Sequence, residues 1–353
     1  MVPELGVIEG YFGRPWQHAD RKQVMSRLRE LGYGFFHVAP KADAFLRRRW
    51  REPHPDAALA ELTDLSAHCR GIGLRFGVGL SPYELYRDFG GPDRAAFIDK
   101  VRSLDAIGID DLAILFDDTR GDVPDLAARE AEIVHTALEH TRASRVFMCP
   151  TYYSDDRMLD VVFGERPAGY LQDLGRRLDA RVGVYWTGEE ICTREFSPGH
   201  LDRVTEALGR QPTLWDNYPV NDGPRMSRFL HLRGFTGRPS SIGAHIAAHA
   251  INPALQPHLS LIPAATLVAS YREGQAYRYM HAFREAAHAL AGADIAAMLE
   301  QDLHALQDRG FDQLGDDRER LHQRYAAVDH PMVAEVVRWL DGADTVDGWV
   351  EQA

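Results

Sequence analysis

What most constrains this chain is a repeated unit. A short apolar run ends in polar or turn-forming residues, and a stretch with apolar residues at helical spacing follows. The clearest run is Leu112-Ala113-Ile114-Leu115-Phe116, closed by two adjacent carboxylates, Asp117-Asp118. An unbroken apolar run with branched and aromatic members fits a strand buried on both faces. Two acids at its end are poor packing choices. They sit where a parallel α/β sheet does its chemistry, at the carboxyl edge. At this point capping of the next loop or helix competes with catalysis as their role.

The unit recurs. Strands are expected near residues 6–10, 35–39, 74–80, 112–116, 146–148, 182–186, 212–215 and, least sharply, 242–249. Helical spacing fills the intervals, near 20–31, 56–70, 97–107, 125–141, 168–178, 198–209 and 257–270. Eight units in ~270 residues match a (β/α)8 TIM barrel, for which ~250 residues is typical. A doubly wound sheet is the competing architecture. It would normally carry a Gly-rich phosphate turn after an early strand, and Gly10-Tyr11-Phe12-Gly13 lacks the G-x-G-x-x-G spacing. After Tyr271 the strand signals stop. Helical spacing continues through Ala287, Leu290 and Ala291, then Ile295, Met298 and Leu299, then Val333, Val336, Val337 and Leu340. The expected organisation is a barrel over residues 1–272 and a small helical C-terminal region over 273–353.

Charge and cysteine usage narrow the function. A net charge of −12 leaves no broad basic face for phosphate, so nucleic acid is not an expected partner. The run Arg47-Arg48-Arg49 reads first as a solvated face and second as a contact for acidic substrate. The 3 cysteines, Cys69, Cys149 and Cys192, are odd in number and widely spaced, which fits a reducing compartment better than a disulfide framework or zinc ribbon. No signal peptide is visible and no apolar run reaches ~18 residues, so a cytoplasmic protein without a membrane span is expected.

A barrel collects its working residues at the carboxyl ends of its strands. Those ends hold Glu9-Gly10, Lys41, Ser81, Asp117-Asp118, Thr151 with Tyr153, Trp186-Thr187, Asp216-Asn217 with Asp222, and Asn252. Amides and carboxylates suit sugar hydroxyls, and aromatic faces suit the apolar faces of a sugar ring. The set does not suit a metal. His245 and His249 lie four apart but off any expected helix and without an acidic neighbour, so they read as core or loop histidines. Neither a metal nor a cofactor is expected.

At these residues the chain resembles a known family. The segment from Gly6 to Trp16 is similar to the opening signature of glycoside hydrolase family 84, the β-N-acetylglucosaminidases that include O-GlcNAcases and enzymes labelled hyaluronidases. Ala39-Pro40-Lys41-Ala42-Asp43, Leu115-Phe116-Asp117-Asp118, Cys149-Pro150-Thr151-Tyr152-Tyr153, Trp186-Thr187-Gly188, Trp215-Asp216-Asn217-Tyr218-Pro219-Val220-Asn221-Asp222 and Asn252-Pro253 continue the resemblance in order. It spans about residues 5–270 and implies a retaining, substrate-assisted hydrolysis in which the substrate's acetamide supplies the nucleophile and an oxazoline forms. The resemblance implies that Asp117 orients the acetamide and that Asp118 is the proton donor and acceptor. It places Asp222 and Asn252 on the outer hydroxyls, with Lys41 and the Gly10 backbone nearby. Asn217 would serve near the acetamide and the catalytic pair. Tyr153, Trp215, Cys149, Thr187 and Ile191 would wall the acetyl pocket.

Three departures from the family pattern stand out: the order Tyr11-Phe12, Ala42 in place of an acid, and Tyr152 in place of a glutamate. They bear on substrate preference more than on activity. The expected partner is a GlcNAc-bearing glycopeptide or glycoprotein, and a homodimer is among the assemblies left open. Glycan or glycosaminoglycan fragments are the alternative substrates. A non-catalytic O-GlcNAc-binding module is the alternative of a different class.

Overall fold

The structure is a computed structural model, and it describes residues 2–346. Eight parallel strands close into a barrel in sequence order: β1 (Glu4–Glu9), β2 (Phe35–Val38), β3 (Arg75–Leu80), β4 (Asp111–Leu115), β5 (Arg145–Cys149), β6 (Gly183–Trp186), β7 (Thr213–Asp216) and β8 (Ala248–Ile251). Pairing of Glu4 with Ala248 and of Val7 with Ile251 closes the cylinder. The surrounding helices are α1 (His18–Glu30), α2 (Asp56–Ile72), α3 (Gly91–Ala106), α4 (Leu126–His140), α5 (Met158–Phe163), α6 (Tyr170–Arg177), α7 (Pro198–Leu208), α8 (Gly223–Met226) and α9 (Leu261–Glu273). This is the (β/α)8 fold expected from the repeating unit.

The apolar runs became strands because each is covered on both sides. β2, β4, β7 and β8 are buried along their whole length. The barrel interior is filled rather than open. Phe35, His37 and Phe147 cluster there, with ring centroids 4.9 Å apart for Phe35–His37 and 5.1 Å for His37–Phe147. Small residues face these rings: a Cβ on Gly6 would lie 2.1 Å from the Phe35 ring, and one on Gly183 would lie 2.6 Å from Phe147. This large-against-small layering is how a barrel of eight strands packs its centre.

The eighth strand corrects the sequence reading. Ile242 lies in a 3-10 turn, Ser240–Ala244, and β8 starts only at Ala248. His249 points into the core, where Nε2 meets Asp216 at 2.9 Å and Nδ1 meets the Tyr271 hydroxyl at 2.8 Å. His245 instead pairs with Asp202 near the surface. The basic run divides too: Arg47 is buried, with its guanidinium 5.6 Å from the rings of Phe12 and Tyr83, while Arg48 and Arg49 are exposed.

Beyond α9 the chain is helical: α10 (Tyr279–Ala291), α11 (Ala293–Leu303), a π-helical continuation at His304–Arg309, α12 (Asp317–Ala326) and α13 (Pro331–Leu340). Pro331 opens α13 and the His330 ring caps it, accepting from the Met332 N–H at 3.2 Å. These helices dock on loops around the carboxyl ends of β7 and β8. Buried Glu335 accepts the N–H groups of His258 at 2.9 Å and Leu259 at 2.8 Å. The Trp339 indole donates to the Ser227 carbonyl at 3.0 Å, and Gln307 receives the N–H groups of Leu232 and Arg233. Among the described residues no helix is long and apolar enough to cross a membrane.

Candidate active site

The β4 ladder continues one residue past the strand, with the Phe116 N–H donating to the Cys149 carbonyl at 2.9 Å, and then the chain turns. Asp117 and Asp118 both lie in this turn, and Asp118 takes φ 58°, the left-handed region that Asp tolerates better than most residues. The Thr119 hydroxyl closes the turn by donating to the Phe116 carbonyl at 2.6 Å. The two carboxylates of this turn meet different partners, Lys41 for Asp117 and Tyr153 for Asp118.

Their surroundings differ. Asp117 is buried, and one of its oxygens receives the Lys41 ammonium from the end of β2. The other, Oδ1, is buried with no hydrogen-bond partner among the described residues. Asp118 is half-buried and accepts from the Tyr153 hydroxyl at 3.3 Å. Burial first, and the Asp117 charge second, raise its pKa above the ordinary aspartate value. One member of the pair is thus matched to a cation, while the other is biased toward holding a proton.

A chain of contacts runs around the rim. The Tyr153 carbonyl accepts the Thr187 N–H at 2.9 Å, which links the ends of β5 and β6. The Ile191 carbonyl, in the next loop, accepts the Asn217 amide at 2.8 Å. Asn217 Oδ1 accepts from the Trp215 indole at 3.0 Å and from Asn252 at 3.0 Å. Asn252 Oδ1 in turn takes the Gly10 N–H at 3.2 Å, returning the circuit to β1. Gly10 must be glycine because a Cβ there would lie 2.2 Å from the Trp215 ring. Lys41 Nζ lies 5.6 Å from that ring's centroid, so the indole meets both β1 and β2. Asp222 is tied to the same corner by the Phe12 N–H at 2.7 Å, and burial raises its pKa to about 6. Cys149 is buried beneath the pair, and burial pushes its thiol well above the ordinary range.

All twelve residues singled out from the sequence therefore lie at one end of the barrel. Asn217 uses its oxygen on Trp215 and Asn252 and one amide hydrogen on Ile191. Two strand-end acids turn out to be occupied. Glu9 takes two bonds from Arg21, at 2.9 and 2.7 Å, and one from the Tyr11 hydroxyl. Asp216 is locked by Arg238 and His249. Among the described residues no group of His, Cys, Asp and Glu is placed to hold a metal ion.

Sequence reasoning missed Glu130, Arg238 and the Phe12 N–H. Glu130 had a readable signal: it falls on the apolar stripe of α4 with Leu126, Ile133, Val134 and Ala137, so an acid faces the core. The other two depend on contacts between distant segments and carry no local signal.

Residues 5–307 match the family model described as beta-N-acetylglucosaminidase. The chain belongs to the β-N-acetylglucosaminidase family. It is 26% identical over 277 residues to the Protein O-GlcNAcase of Rattus norvegicus and to that of Mus musculus, covering 76% of this chain. The match takes in 30% of each of those relatives. A mutant of an O-GlcNAc hydrolase from Thermobaculum terrenum superimposes with a TM-score of 0.80 at 25% identity, over 97% of this chain and 81% of that one. In this chain the carboxylate pair and the polar residues of the strand ends lie at the same end of the barrel.

Proposed function

We propose that this chain is an exo-acting, retaining β-N-acetylglucosaminidase that removes terminal β-linked GlcNAc from Ser or Thr of proteins or peptides. The observation that carries the reading is the free acceptor on Asp117. Its Oδ1 is buried and unpartnered among the described residues, while Lys41 fixes the opposite oxygen. A buried carboxylate oxygen left unpaired is costly, and a substrate N–H satisfies it. An acetamide N–H donated to Oδ1 turns the acetamide carbonyl oxygen toward the anomeric carbon.

The reaction then proceeds in two displacements. The carbonyl oxygen bonds to C1 as the C1–O bond to the aglycon breaks, and Asp118 gives its proton to the departing oxygen. Positive charge spreads over the five-membered ring beside Asp117. Asp118, now a carboxylate, takes a proton from water as that water attacks C1 and reopens the ring. Two inversions at C1 retain configuration, and no protein nucleophile is needed. Asn252, Asp222 and the Gly10 backbone suit the hydroxyl side of the sugar. Tyr153, Cys149, Thr187, Ile191 and Trp215 suit the acetyl side. The names of the similar proteins, Protein O-GlcNAcase and O-GlcNAc hydrolase, support a Ser- or Thr-linked substrate.

The test is GlcNAc release from an O-GlcNAc-modified peptide, compared with chitobiose and hyaluronan fragments. Faster turnover of the peptide supports the proposal. Faster turnover of the oligosaccharides moves the substrate to glycans. No aryl release from an aryl β-GlcNAc from acid to neutral pH would make the chain a binding module.

A further inference from the structure

Glu130 is fully buried on α4, yet its carboxylate faces three neutral donors. Oε1 receives the Thr151 N–H at 3.1 Å and the Thr151 hydroxyl at 2.6 Å, and Oε2 receives the Tyr170 hydroxyl. The Thr151 oxygen also lies 3.3 Å from the Phe116 carbonyl and 3.3 Å from the Thr119 hydroxyl. Phe116 and Thr119 bracket the Asp117-Asp118 turn, and Thr151 stands two residues before Tyr153, which donates to Asp118. One hydroxyl therefore joins α4 to the ends of both strands that carry the reacting groups.

Thr151 has a single hydroxyl proton, and Glu130 Oε1, the Phe116 carbonyl and the Thr119 hydroxyl oxygen all lie within reach as acceptors. When Glu130 is ionised, the proton belongs to Oε1, because a charged acceptor wins over a neutral one. When Oε1 carries a proton, the acid donates to the Thr151 oxygen, and the Thr151 hydroxyl turns to the Phe116 carbonyl. That carbonyl is then held by two hydroxyls, Thr119 and Thr151, and the turn is clamped.

We propose that Glu130 is a positioning residue for the Asp117-Asp118 turn, acting through the Thr151 hydroxyl, and that its ionisation loosens the turn. The inference rests on the hydrolase reading above. Burial raises the Glu130 pKa to about 7 despite the bonds from Thr151 and Tyr170. The switch therefore falls near neutrality, and activity declines as pH rises through it. Facing Glu130 are Tyr170 from α6 and Cys149 from β5, with Asp117 and Asp118 beyond the thiol. From α3, Arg94 pairs with Glu132 instead. Arg129, adjacent on α4, donates to the carbonyls of Pro124, Tyr86 and Arg87. Among the described residues no cation pairs with Glu130.

The experiment is kcat/KM against pH, from about pH 5 to 9, with 2,4-dinitrophenyl β-GlcNAc, whose departure needs little help from Asp118. Wild type is expected to fall about tenfold through neutrality, a modest cost for a small displacement of reacting groups. Glu130→Gln is expected to lose that limb while keeping its melting temperature. Thr151→Val should also lose it, and Thr151→Ser should keep it. Profiles of wild-type shape in both Glu130→Gln and Thr151→Val, whatever their rates or melting temperatures, would overturn the proposal. If Glu130→Gln does not fold, the Thr151 pair decides alone. A wild type that releases no aryl group at any pH refutes the hydrolase reading instead, so the two failures are distinguishable.

Discussion

Replacing Asp118 tests its proposed role as the acid, because the structure says what else the replacement disturbs. Asp118 sits at φ 58° and accepts one long bond, 3.3 Å, from Tyr153. Asn tolerates that backbone, whereas Ala adds strain of about 1 kcal/mol. Asp118→Asn therefore removes the transferable proton with little change in the turn, and Asp118→Ala adds a small stability loss. Positioned acid catalysis is worth roughly 10²–10⁴ in rate, or about 3–5 kcal/mol. That whole factor should appear with an alkyl aglycon such as a Ser-linked GlcNAc, whose oxygen leaves poorly without a proton. With 2,4-dinitrophenyl β-GlcNAc the loss in kcat/KM should stay below about tenfold. The assay is kcat/KM for both substrates in wild type and both variants, with melting temperatures alongside. Equal losses on the two substrates would refute the assignment of Asp118 as the acid.

Two further outcomes follow from buried charge. Burial lifts Asp222 to about 6, so it is neutral below that pH and cannot serve as an ionised acceptor for sugar hydroxyls. KM should rise as pH falls through 6 with kcat less affected, and Asp222→Asn should raise KM and flatten its pH dependence. Arg238 is 6% exposed against Asp216 at 1%, and Arg238→Met leaves that acid buried with only His249 for company. The loss should be about 3–5 kcal/mol in urea unfolding, with part of it recovered in the double variant carrying Asp216→Asn.

The fold was legible where local signals were strong. Seven strands carried continuous apolar runs or sharp turn residues at their ends, and the helices between them kept their spacing. β8 was misplaced because its sequence, Ala-His-Ala-Ile, has little hydrophobicity and a buried histidine. Ile242 and Ile246, nearer the 3-10 turn, gave the stronger local signal. The site was legible because strand-end position is encoded locally, so Lys41, Asp117, Asp118 and Asn252 could be collected before any contact was known. Which strand-end acids remain available is not local information. Glu9 is consumed by Arg21 in α1, and Asp216 by Arg238 far along the chain. Position alone would have counted them as working acids. Tyr152, one of the departures, puts its hydroxyl on the Gly164 carbonyl at 2.6 Å, away from Asp118, so it shapes the loop leading to α6.

The central claim is that the attacking oxygen comes from the substrate's own acetamide. It is tested most directly by kcat/KM for aryl β-glycosides whose N-acetyl group carries zero, one, two or three fluorines. Each fluorine weakens the carbonyl oxygen as a nucleophile and leaves the aglycon unchanged. The account predicts a steady decline along the series, with the trifluoro substrate at least ~10²-fold slower, about 2.7 kcal/mol in transition-state stabilisation. A series in which all four substrates react at the same rate would contradict it.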